Sequence, residues 1–109
     1  MDFTQSIKVI CDQPTASCIK IIRNYTGQSF AVIKDTIKQG DMFLISEMTD
    51  TATLEKIIKL YEELTEIGTQ CEVYELGQKS SIDIFRNRLN RDHEIEQETW
   101  NEMFIEADN

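Results

Sequence analysis

The most regular stretch of this chain runs from Thr51 to Gly68, and it leaves the fold few options. Leu54, Ile57, Ile58, Tyr61, Leu64 and Ile67 recur at three- and four-residue spacing, the stripe of an amphipathic helix. Asp50 or Thr51 supplies the N-cap, Glu55 and Lys59 form an i,i+4 pair on the wet side, and Gly68 ends the helix. So long an apolar stripe must lie on something. The segments on either side, residues 42–48 and 70–76, are short runs of apolar and aromatic residues that read as strands. A third run, residues 6–12, puts Ile7, Val9 and Cys11 on one face and is stopped by Pro14. Between the first and second strands lie two short helices. One carries Cys18, Ile21, Ile22 and Tyr25 and ends at Gly27; the other is capped by Ser29, carries Phe30, Ile33 and Ile37, and ends at Gly40. The order is β-α-α-β-α-β, an α+β sandwich with helices on a three-stranded sheet.

Beyond Gly77 the pattern changes. Ser80 or Ser81 can cap a helix bearing Ile82, Phe85 and Leu89. The strands hold apolar groups on both parities, Ile10 against Val9, Phe43 and Ile45 against Met42 and Leu44, Tyr74 and Leu76 against Val73. A sheet apolar on both faces needs cover on both. The helix over 80–89 is therefore expected on the face opposite the three main helices. The organisation is an α+β domain over 1–78 and a helical, acidic extension over 79–109 packed on or beside it. In that extension Ile95, Trp100, Met103, Phe104 and Ala107 stand among acids, as in an acidic amphipathic helix.

Charge is distributed just as unevenly. Of 20 acids in a chain of net charge −9, seven lie in residues 92–109, where there is no Lys or Arg. Residues 1–91 hold 13 acids and 11 bases and are close to neutral. The chain lacks the basic footprint of an ordinary nucleic-acid binder, so direct nucleic-acid binding is not expected. Within residues 15–40, however, Lys20, Arg23, Lys34 and Lys38 face a single acid, Asp35. Ile19 falls off the Cys18/Ile21/Ile22/Tyr25 stripe and is expected to point outward among these bases.

The inventory for catalysis is thin. One histidine, His93, sits beside Asp92 in an expected turn, and a general base needs a pocket and a poised pKa. Each of the four glycines reads as a helix end or turn, and no phosphate loop is present. Cys11, Cys18 and Cys71 form no CxxC pair and have no zinc spacing with His93, so they read as reduced, small core residues. No enzyme, metal or cofactor is expected. No run approaches the ~18 apolar residues of a membrane span, and residues 1–10 carry Asp2 and Lys8 without a signal-peptide core. A cytoplasmic protein, monomeric or weakly dimeric, is the expectation.

From Thr15 to Glu75 the chain resembles the C-terminal domain of the bacterial ribosomal stalk protein, whose fold is shared with the Clp protease adaptor. The resemblance rests on Ile19-Lys20, Ile22-Arg23, Thr26-Gly27 and Lys34-Asp35. It extends through the long helix ending Leu60-Tyr61-Glu62-Glu63-Leu64-Thr65-Glu66-Ile67-Gly68 and the strand Cys71-Glu72-Val73-Tyr74. It implies a non-catalytic module that holds another protein, as the family holds translational GTPases, through its first two helices. The family's basic anchors fall on Lys20, Arg23 and Lys34, and its exposed aliphatic on Ile19. The family's first-helix lysine is Thr15 here, and its glycine-leucine pair is Ser29-Phe30. The expected contact residues are thus Ile19, Lys20, Arg23, Phe30 and Lys34, with Trp100, Met103 and Phe104 of the acidic segment as a second set. The partner would be a GTPase, an ATPase or a basic nuclease. The last belongs to an alternative reading as an acidic inhibitor, a DNA mimic or toxin-immunity protein of phage type.

Overall fold

The computed structural model describes residues 3–91. Over these the chain runs β1 (Thr4–Ile10), α1 (Ala16–Thr26), α2 (Phe30–Gln39), β2 (Met42–Glu47), α3 (Thr51–Glu66), β3 (Gln70–Glu75) and β4 (Gln78–Lys79). A fourth helix, α4, follows over residues 82–91. The strands form one antiparallel sheet in the order β2-β1-β3-β4. The α+β class and the order of the first six elements agree with the sequence reading. The strand number does not, because a fourth strand completes the sheet.

Local chemistry explains the helix ends. Thr15, Ser29 and Asp50 each accept a hydrogen bond from the backbone N–H three residues on, and Gly27 and Gly40 close α1 and α2 in the left-handed conformation. The Asp50 carboxylate also accepts from the Thr53 hydroxyl at 2.7 Å, and these bonds hold its pKa below the usual aspartate value.

One face of the sheet, bearing Ile7, Val9, Phe43, Cys71 and Val73, is buried together with Cys18, Ile19, Ile22, Ile33, Ile37, Leu54, Ile57, Leu60 and Leu64 of the helices. Leu60, which the expected α3 stripe leaves out, is fully buried. Ile67, which that stripe includes, is the C-cap and is exposed. The helix turns its core face slightly further round than the apolar periodicity alone suggests.

The placement of α4 corrects a second expectation. Phe85 is fully buried in the same cluster, Arg88 bonds Gln5 and Glu75 on the inner face, and Arg86 pairs with Glu62 of α3 at 3.3 Å. Helix α4 therefore lies beside α3 on the face the other helices cover, not on the opposite one. The cause is β4. Leu76 and Gly77 both have positive φ, 54° and 73°, the two-residue turn that matches strand twist. This hairpin reverses the chain and brings Ser80 back to β3, where its N–H donates to the Val73 carbonyl at 2.8 Å. The chain thus enters α4 from the inner side. The outer face, with Ile10, Ile45, Lys8, Glu72, Tyr74 and Lys79, carries no helix among the described residues, and Ile45 is 64% exposed.

Two outcomes follow from this packing. Phe85→Ala should cost about 3–5 kcal/mol in urea unfolding, as large-to-small changes in filled cores do; an unchanged midpoint would mean that α4 is not docked. Leu76→Asn should raise the melting temperature, gaining about 1 kcal/mol, because asparagine tolerates the left-handed conformation that leucine resists. A lower melting temperature would mean that the half-exposed leucine contributes more by packing than its conformation costs.

Candidate functional site

Helices α1 and α2 are where the structure gathers unneutralised positive charge. Lys20 and Arg23 on α1 and Lys34 and Lys38 on α2 are exposed, and none makes an ion pair with a described residue. Of the other bases of the body, Lys8, Lys56 and Arg91 also make no ion pair among the described residues, and four are tied down. Lys59 pairs with Glu55, Lys79 with Glu72 at 2.6 Å, Arg86 with Glu62 and Asp83, and Arg88 with Glu75 at 2.7 Å.

Ile19 does not join the exposed group. It is 1% exposed and packs in the core with Cys18 and Ile22, so its expected outward position is corrected. Helix α1 packs against both α2 and α3, so its apolar arc is wide. Tyr25, whose hydroxyl is bonded to Glu63 and titrates only at about 12 as a result, marks the α3 flank. Ile19, on the other side of the arc, fills the remaining space. An eleven-residue helix has too few turns for periodicity to tell an outer position from the edge of such an arc.

Phe30 takes the exposed apolar role. It is 44% exposed at the first turn of α2, with Val32, at 46%, on the opposite flank, while Ile33 and Ile37 face the core. Phe30, Lys34 and Lys38 stand at i, i+4 and i+8 and so line one flank of the helix. Trp100, Met103 and Phe104, the second expected set, lie outside the described residues, as does His93.

That flank of α2 leads into a cleft the sequence reading did not anticipate. Two adjoining hollows, of about 370 Å³ and about 300 Å³, share Cys11, Asp12, Ile37 and Lys38. Lys8 and Gly40 bound one end and Lys34 and Pro14 the other. Gly40 adopts φ 72°, and the end of the Lys8 side chain lies 3.6 Å from where its Cβ would stand, beside the C-terminal end of α2, where a cation is favoured. Glu72, opposite Lys8 in the sheet register, is already bonded to Lys79 and to the Tyr74 hydroxyl, which keeps its pKa below the usual glutamate value. The cleft thus carries Lys8, Lys34 and Lys38 against one carboxylate, Asp12. The element of sequence that signals it is the spacing of Lys34 and Lys38 on one helix flank; the contribution of Lys8 comes only through the fold.

No family model matches the chain, and neither a curated protein nor a solved structure matches it significantly. No helix among the described residues is long and apolar enough to cross a membrane.

All three thiols are free, and their surroundings differ. Burial pushes Cys71 up to about 12 and raises Cys18, whereas Cys11 is half-buried on the wall of the cleft. At neutral pH an alkylating reagent should therefore modify Cys11 in the native chain and reach Cys18 and Cys71 only on unfolding. Mass spectrometry of partly labelled protein checks this; early modification of Cys71 would contradict the packing described.

Proposed function

We propose that this chain is a non-catalytic protein-interaction module that docks through its α1–α2 helical hairpin. The observation that carries the reading is the grouping of charge: Lys20, Arg23, Lys34 and Lys38 are exposed on two adjoining helices without ion pairs among the described residues, whereas Lys59, Lys79, Arg86 and Arg88 elsewhere on the body are neutralised locally. Exposed Phe30 and Val32 on the same hairpin add apolar area that can be desolvated at the centre of an interface. This combination supports the stalk-like mode of binding that the sequence resemblance implies, with Phe30 in the aliphatic role first assigned to Ile19. Oriented cations give fast, salt-sensitive association with an acidic surface, of the kind a GTPase or ATPase can present.

The alternative, an acidic inhibitor of a basic nuclease, draws on the seven acids of residues 92–109 together with Trp100, Met103 and Phe104, all outside the described residues. The two readings place the contact on opposite charges and therefore on different parts of the chain.

Affinity capture from the native host, repeated with variants, separates them. Lys20→Glu/Arg23→Glu and Phe30→Asp should each abolish recovery of the partner with little change in melting temperature, since these positions are exposed. Deleting residues 94–109 should leave recovery intact or increase it. Recovery that survives the hairpin variants but is lost with the deletion would establish the inhibitor reading instead.

A further inference from the structure

We infer that the outer face of the sheet is the seat of the chain's own C-terminal segment, residues 92–109, with Trp100, Met103 and Phe104 laid against Met42, Ile45 and Tyr74. The contact is intramolecular and lies on a different surface from the α1–α2 hairpin.

The argument starts from the sheet register. Lys8 pairs with Met42 and Glu72, and Ser6 with Tyr74, so these side chains share the outer side with Ile45, which stands opposite Ser6. An antiparallel sheet that faces water carries polar residues on its open side. Here Met42, Ile45 and Tyr74, from three different strands, border a hollow of about 220 Å³ together with Thr4, Ser6 and Gly77. Ser6 is only 6% exposed, whereas Ile45 is the most exposed large apolar side chain among the described residues. A concave apolar patch of this kind marks a surface that receives something.

Where the described chain ends determines what can fill it. Arg88 is bonded to Gln5 and Glu75 from the inner side. Gln5 stands between Thr4 and Ser6, and Glu75 follows Tyr74 and pairs with Gln78, next to Gly77. The hollow therefore opens on the other side of the same stretch of sheet. Helix α4 ends at Arg91, within a turn of this anchor. Nine residues of chain lead from Arg91 to Trp100 and can span roughly 30 Å. A path round the end of the sheet from one packed layer to the other needs on the order of 20 Å, twice the ~10 Å spacing of layers. The segment also has the matching pattern. Trp100, Met103, Phe104 and Ala107 recur at i, i+3, i+4 and i+7, with Glu98, Glu102 and Glu106 on the opposite side of that period. Docked by the apolar stripe, it turns these acids to water. The α1–α2 hairpin offers the acids charge, but its exposed Phe30 and Val32 stand on opposite flanks of α2. A second copy would bring a net charge of −9 against −9.

The test uses the full chain and the fluorescence of Trp100, its one tryptophan. Acrylamide should quench Trp100 several-fold less in the native chain than in urea, and added salt should leave this shielding unchanged because the contact is apolar. Ile45→Asp, at an exposed position that folding tolerates, should raise quenching close to the value in urea while the circular dichroism of the fold is retained. Ile45→Ser, which adds no charge, should raise it part of the way. Phe30→Asp on α2 and Lys59→Glu on α3 should quench as the parent does. Trp100 as open to acrylamide in the native chain as in urea overturns the inference. So does shielding that both Ile45 variants leave intact. Shielding lost at high salt or in Lys20→Glu/Arg23→Glu would place the segment on the hairpin, and shielding that fades on dilution would place it against a second copy. Either result overturns the inference as well.

Discussion

The side chain of Gln5 is the point on which the arrangement of this fold turns. It is completely buried, and a buried carboxamide left unsatisfied costs about 1–3 kcal/mol for each missing bond. Its amide nitrogen donates to the Ser46 hydroxyl at 3.1 Å and lies within bonding distance of the carbonyls of Glu47 and Asp50, at 3.2 and 3.0 Å. Its oxygen accepts from the Arg88 guanidinium, which also grips Glu75 and lies 4.8 Å from the Phe85 ring. One side chain of β1 thereby ties together the end of β2, the capping residue of α3, and α4. The β-bulge beside it is part of the same solution. Gln5 pairs with Ser46 and Ile7 with Phe43, so Leu44 and Ile45 together stand opposite Ser6, with Leu44 at φ 53°. The irregularity shifts Ser46 and Glu47 into the register at which Gln5 can reach them.

A core organised in this way has consequences for the surface. Arg88 and Glu75 neutralise one another where α4 meets the sheet and Arg86 is taken up by α3, so the α3–α4 side keeps only Lys56 and Arg91 without ion pairs among the described residues, against Glu62, Glu63, Glu66 and Asp83. The α1–α2 side has no comparable acid supply. Its bases remain uncompensated on a nearly neutral body, and in water of moderate ionic strength their field reaches about 10 Å. Function on this account is a matter of which side chains the fold leaves without partners.

Much of the fold is legible along the chain, for a physical reason. Three helices announce themselves through their apolar spacing and terminating glycines, α2 and α3 also through the caps Ser29 and Asp50, and β1, β2 and β3 through apolar runs of strand length; the Thr15 cap of α1 goes unread. What is not legible depends on contacts distant in sequence. Strand β4 is two polar residues, Gln78 and Lys79, with no propensity or alternation to mark it, and its turn begins at a leucine in a conformation leucine seldom adopts. Missing that reversal sends α4 to the wrong face. Gln5 reads as an ordinary polar strand residue until Arg88, 83 positions away, is brought beside it. At the site, Lys20, Arg23, Phe30 and Lys34 are exposed as expected. Ile19 is core because α1 has neighbours on both flanks.

The central claim is that contact with another protein is made by the exposed face of the α1–α2 hairpin. The most direct measurement is an amide NMR titration of the uniformly ¹⁵N-labelled chain with its captured partner. The account predicts that the largest shifts fall in residues 16–40 and diminish as salt is raised. Shifts confined to the outer sheet face around Ile45 and Tyr74, or to residues 92–109, with the α1–α2 hairpin unmoved, would contradict it.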